Sequence, residues 1–311
     1  MSAFDDANQQ LKYCDNFHEG ACNWLLPADS AHSLCSACDL NHKIPNLNSE
    51  EHRQDWIKIE SAKHRLVYEL LYLGLPVISK RLDPEAGLSF NFLAEDLTET
   101  SEPIMTGHMQ GLITLNTAEA DPVQREKMKA QMEEPYRTLI GHFRHEIGHY
   151  YWDLLIRSNN SQLDAYRSLF GDESQDYQDA LDSHYQSGPP GNWHEQFVSA
   201  YASCHPWEDW AETWAHYMHL ISTLHTAQAY GLSLQPKIDS TSKQIPAMDL
   251  NLDYDLLREK DMNIILSDWL KLTLAVNSLN RSMGQPDLYP FILPPQVREK
   301  LGFVHQLIIE H

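Results

Sequence analysis

The chain has 311 residues, 42% of them hydrophobic, with a mean hydropathy of −0.47, enough for one large domain with a small satellite. Its 23 Lys and Arg against 44 Asp and Glu leave a formal net charge of −21, which repels a phosphate backbone and argues against a nucleic-acid partner. No run approaches the roughly 18 apolar residues of a membrane span, and the opening Met1-Ser2-Ala3-Phe4-Asp5-Asp6 lacks a signal-peptide core, so the expectation is a cytoplasmic chain without a membrane partner. Five cysteines do not make a disulfide framework in a reducing compartment, and four of them cluster between Cys14 and Cys38.

In chain order, residues 1–45 hold those cysteines among Asn, Asp, Pro and His, with little apolar periodicity. Cys35-x-x-Cys38 is a thiolate knuckle, and Cys14 with Cys22 completes a tetrahedral four-sulfur set, so a small zinc-ribbon-like module with one structural zinc is expected. A closed four-thiolate site leaves no coordination position for a substrate. From Asp55 onward Trp56, Ile57, Ile59, Ala62, Leu66, Val67, Leu70 and Leu71 recur at helical spacing until Gly74-Leu75-Pro76 stops them. Leu88 to Phe92 and Gly111 to Asn116 alternate as strands of a small sheet. Helical patterns follow at 123–157, 205–229 and 255–283, with a polar, Asp-rich connection at 171–192. The expected fold is α+β and mostly helical, with a module at 1–45 and one domain at 46–311.

The chemistry concentrates in His145-Glu146-Ile147-Gly148-His149. Two histidines four apart on a helix lie one turn above each other on one face, so both imidazoles can reach one metal ion. Glu146 sits beside the first ligand, where it can take a proton from an activated water and pass it to a leaving group. At about 100° per residue, His142, His145, Glu146, His149 and Asp153 share one arc, and Phe143, Ile147, Tyr150 and Leu154 the other. The flanking Tyr150-Tyr151-Trp152 argue against a solvated helix. His142 reads as a supporting residue, since a fourth protein ligand would close the site to water.

A catalytic zinc needs a third protein ligand. The segment His205 to His219 supplies candidates: His205, Glu208, Asp209, Glu212, His216 and His219 share one helical face, with Glu212 near its centre, while Trp207, Trp210, Trp214 and Tyr217 share the other. Pro206 suits a first helical turn. Cys204 beside His205 is not read as a nucleophile, because sequence neighbours rarely face each other.

The chain resembles a family of bacterial zinc metallopeptidases with a zinc-ribbon N-terminus, related to the thermolysin-like gluzincin clan. The resemblance rests on Cys35-Ser36-Ala37-Cys38-Asp39-Leu40-Asn41 with Ile44-Pro45, on Ala62-Lys63-His64-Arg65-Leu66-Val67-Tyr68, on Tyr136-Arg137-Thr138-Leu139 leading through Gly141-His142-Phe143-Arg144 into the histidine motif, and on Asn280-Arg281-Ser282-Met283-Gly284. Members often carry further Cys-x-x-Cys pairs, which implies an abbreviated ribbon here. The clan's pattern of Glu, two residues, Ala, one residue, Tyr matches Glu212-Thr213-Trp214-Ala215-His216-Tyr217, which independently favours Glu212 as ligand. Asp209 and His216 then support the site from its neighbourhood. The resemblance further implies an oxyanion donor, for which Tyr201, His205 and Tyr217 qualify, and an edge strand that takes an extended peptide, for which Gly111, Leu112, Ile113, Thr114, Leu115 and Asn116 are the candidates.

The expectation is a zinc metallohydrolase acting on a peptide or protein, with one catalytic and one structural zinc. Its rivals are a zinc-stabilised interaction protein without turnover, against which the intact Glu146 argues, and a hydrolase of a non-peptide amide.

Overall fold

The computed structural model describes residues 10–94, 104, 106–125, 138–236 and 248–311. It divides into two compact units, Met1–Tyr150 and Tyr151–His311.

In the first unit, β1 (Leu11–Tyr13) and β2 (Leu25–Pro27) pair antiparallel. Helix α1 (Glu50–Tyr72) begins where Ser49 accepts a hydrogen bond from the His52 amide, and buries Trp56, Ile59, Leu66, Val67 and Leu70, as the apolar spacing requires. The main sheet has the order β3-β4-β6-β5, from Asn41–Lys43, Ser89–Leu93, Leu112–Asn116 and Gly107–Met109. β3 and β6 both run parallel to β4, and β5 is antiparallel to β6. β3 comes from the end of the expected 1–45 module, and the cysteines share a compact unit with α1 and the sheet, so the compact units divide elsewhere than at residue 45.

The β5–β6 hairpin turns on Gln110 and Gly111, both at positive φ (49° and 79°). A Cβ at Gly111 would come within 2.2 Å of the Gly87 carbonyl oxygen, so only glycine fits this approach. β6 therefore has a partner on each side over Leu112–Thr114, so the edge role expected of Gly111 to Asn116 fails along the part that β4 and β5 both pair. Among the described residues the outer strand on that side is β5.

Helix α2 (Leu139–Leu155) carries the histidine motif. Residues 126–137 of the helical stretch expected at 123–157 lie outside the described residues. The apolar arc packs in the first unit: Phe143 meets Phe90 and Phe92 at ring distances of 5.7 and 6.1 Å, and the Tyr150 hydroxyl donates to the Ala86 carbonyl.

The second unit is helical: α3 (Asn160–Phe170), α4 (Tyr177–Ser187), α5 (Pro206–Ala229), α6 (Met262–Ser282) and α7 (Pro295–Ile309), with a two-stranded ribbon of Ser233–Leu234 and Leu250–Asn251. The connection expected at 171–192 contains α4, which buries no residue and so has no apolar period to announce it; its signals were the cap Asp176 and the stop Gly188. α3 and α7 were also not expected. Helix α5 is the core of this unit, with Trp210 and Trp214 fully buried and Tyr151 stacked on Trp214 at 5.1 Å. Asp209 and Lys300 form a buried ion pair at 2.6 Å that ties α5 to α7, with the lysine also donating to the Gln196 carbonyl.

Candidate metal centres

Cys14, Cys22, Cys35 and Cys38 lie at 0%, 6%, 3% and 0% exposure, with all four sulfurs within 4.8 Å of one another. The Cys22 and Cys35 sulfurs are 3.7 Å apart. A tetrahedral zinc with bonds of about 2.3 Å sets its sulfurs about 3.8 Å apart, so the cage fits that ion. Backbone amides cap the sulfurs: Trp24 donates to Cys22, Cys35 to Cys14 and Cys38 to Cys35, at 3.3 to 3.4 Å. Hydrogen bonding to the neighbouring sulfur Cys35 pushes the Cys22 thiol up to about 12, and a dication is what allows such crowded sulfurs to ionise together.

The second centre starts from how α2 is held. Arg144 and Glu69 of α1 form a bidentate pair (3.0 and 2.7 Å), both nearly fully buried, which fixes the rotation of α2. His142 pairs with the Glu119 carboxylate. One turn on, the Nε2 atoms of His145 and His149 converge to 3.2 Å. Zinc–nitrogen bonds of about 2.0–2.1 Å in tetrahedral geometry require about 3.3–3.4 Å, so the two imidazoles also fit zinc. Glu146 is buried beside them at 9% exposure.

One residue near this centre escaped the sequence reading. His108 of β5 stacks on His149 at 6.3 Å and accepts from the Gly111 amide through Nε2 (2.8 Å), which fixes its tautomer with the proton on Nδ1. Burial, and then the nearby His149, lower its pKa to about 3. The only sequence signal was its place before the Gln110-Gly111 turn.

In the second unit, His205 caps α5: its Nδ1 accepts from the Trp207 amide (3.1 Å) and its Nε2 faces the Gln175 carbonyl (3.3 Å). Glu208 is 1% exposed and accepts from the Tyr177 hydroxyl at 2.8 Å. Tyr177 is in turn hydrogen-bonded to Tyr201. Burial, then the Glu208 charge, push the Tyr201 hydroxyl far above its ordinary range, so it stays protonated. Glu212, one turn after Glu208, is partly exposed and accepts from the Ser199 hydroxyl at 2.6 Å. Asp209 is occupied by Lys300, and burial raises its carboxyl to about 7 against the lysine's opposing pull. His216 hydrogen-bonds to Tyr289 (2.6 Å), and Tyr217 to His305 (2.9 Å), both inside the helical packing. Burial, then the negative charges of Glu208 and Glu212, keep Cys204 a neutral thiol, which fits no nucleophile.

A helix that converges two imidazoles beside a buried glutamate, in a chain that also gathers four thiols, defines a zinc-binding protein of the His-Glu-x-x-His class. Residues 52–307 match the family described as "Putative zinc-binding metallo-peptidase", and the chain belongs to that family. Residues 1–49 match a zinc-ribbon domain. The chain is 44% identical over 306 residues to uncharacterized proteins of Mycobacterium bovis and of two strains of Mycobacterium tuberculosis, covering 98% of this chain and 84% of theirs. No solved structure matches. Among the described residues, no helix is long and apolar enough to cross a membrane.

Proposed function

We propose that the chain is a peptide-bond hydrolase with two zinc ions, one structural in the cysteine cage and one catalytic on His145 and His149. The observation that carries this is the 3.2 Å convergence of the two Nε2 atoms with Glu146 buried alongside. Zinc held there supplies a Lewis acid and lowers the pKa of water. Glu146 takes the proton of the attacking water and returns it to the leaving amine. An extended peptide adds as a strand to β5, whose His108 and Met109 are the residues it first meets. Tyr201, held protonated, turns its hydroxyl from Tyr177 to donate to the oxygen on which negative charge develops.

The third ligand in this reading is Glu212, which matches the gluzincin pattern. A second reading takes Glu208, one turn earlier, and the observation favouring it is burial: its carboxylate is 1% exposed and stands at the end of the Tyr201–Tyr177 hydroxyl chain. Metal content decides between them. The wild-type chain should hold two zinc ions, and Glu212→Ala should hold one and lose activity, with Glu208→Ala weakening affinity or activity only about 10- to 100-fold, as expected of a residue that orients a ligand. The reverse pattern assigns the ligand to Glu208. Two zinc ions retained in both variants, or fewer than two in the wild type, would overturn the proposed site.

A further inference from the structure

Between the two family segments, one at 1–49 and the other from residue 52, the buried polar groups are not divided as the sequence is. His64 lies on α1, 15 residues beyond the last matched residue of the ribbon by position (64 against 49), yet its ring reaches the cysteine cage. Its Nε2 stands 3.5 Å from the Cys38 sulfur and 3.8 Å from that of Cys35. Its Nδ1 stands 2.7 Å from the Glu60 carbonyl oxygen one turn earlier, an acceptor that orients the ring along α1. Trp24, from the ribbon, meets the imidazole nearly perpendicular at a ring distance of 5.4 Å. The residue as a whole is 7% exposed.

The four sulfurs are not supported alike. Cys14, Cys22 and Cys35 each accept a backbone amide from within residues 24–38. Cys38 is met by side chains of α1, His64 at 3.5 Å and the Glu60 carboxylate at 3.9 Å. Glu60 is fully buried and is held by Lys63 (2.9 Å) and by Asn41 of β3 (2.8 Å). The lysine in turn lies over the Phe90 and Phe92 rings at 5.9 and 5.6 Å. A chain of contacts thus runs from the fourth sulfur through α1 to the sheet.

We propose that His64, from outside the ribbon, is the positioning residue of the cysteine centre, fixing the Cys35–Cys38 knuckle from the side of α1. It acts outside the four-sulfur coordination set, as residues that orient metal ligands do. The metal's retention in the ribbon therefore depends on α1, and the ribbon is not an independent module. This inference rests on the ribbon's binding of zinc and not on peptidase activity.

The test uses the full chain loaded with zinc. In His64→Phe, which keeps a ring but removes its nitrogens, transfer of the ribbon zinc to a chromogenic chelator should be about 10- to 100-fold faster than in the wild type. The thiolate-to-metal charge-transfer band of the cobalt-loaded chain should shift, and His64→Gln should recover part of the retention. An unchanged release rate and an unchanged band in folded His64→Phe would overturn the proposal. Should that variant fail to fold, nitrogen-15 and cadmium-113 resonances of the wild type give the second measurement. Replacing bound zinc by cadmium should perturb the His64 ring nitrogens, and ring resonances that ignore the metal exchange would overturn the proposal as well.

Discussion

The cysteine cage draws its four sulfurs from residues 14 to 38, none more than 6% exposed, whereas the histidine pair occupies one turn of α2, with His149 4% exposed and His145 less buried. In the proposed reading the first set is complete and closed, so a metal held there would serve structure alone. The second, proposed to supply two ligands and a base, is held in place by protein contacts: the Arg144–Glu69 pair, the Phe143 packing and the Tyr150–Ala86 hydrogen bond. A short loop segment without a core of its own needs its ion to have a shape, while a helix anchored on a sheet can present an open site.

Three changes would break or sharpen that contrast. The largest effect is expected from Glu146→Gln, which removes the base but no ligand. Peptide turnover should fall about 10²- to 10⁴-fold while the zinc content stays that of the wild type. Retained turnover would remove Glu146 from the role of base.

Next comes Arg144→Met, aimed at the framework of the open site. It leaves the Glu69 carboxylate buried beside the half-exposed Arg65 (2.6 Å). Breaking a buried pair costs about 3–5 kcal/mol, and the remaining arginine puts the expectation at the lower end. The urea midpoint measures it, and a loss under about 1 kcal/mol would show that α2 is fixed by its apolar contacts alone.

The smallest effect concerns the helix that offers the glutamates. Burial lowers His216 to about 4, opposed by Glu212, so the folded chain binds fewer protons than the unfolded chain between that value and about 6.5. Stability attached to this residue is therefore full above about pH 6.5 and is lost as the pH falls toward 4, amounting to about 2 kcal/mol by pH 5. Urea titrations at pH 7 and pH 5 should show a smaller pH dependence in His216→Gln than in the wild type, and equal dependence would exclude His216 as the source.

Both centres could be read from sequence as far as their local clusters go. The Cys14, Cys22, Cys35, Cys38 set and the His145, Glu146, His149 turn are local patterns whose spacing alone dictates which side chains can meet, through the geometry of a knuckle and of one helical turn. The α1 pattern and the two strand runs were equally legible, because each buries an apolar face at a fixed period. Helix α4 was not, since it buries nothing.

What only the tertiary structure decided is pairing at a distance. Alternation marks Leu112 to Asn116 as a strand but carries nothing about its neighbours, and the sheet order made it internal and left β5 outside. A helical wheel places His205, His216 and Tyr217 on α5, but their partners Gln175, Tyr289 and His305 come from 30 to 88 residues away. His108 meets His149, and His64 meets Cys38, across separations that no period spans. The sequence by itself determined the ligand types and their local spacing, because those follow from backbone geometry. Which buried polar groups face them is set by long-range packing, where each group must find a partner wherever the fold brings one.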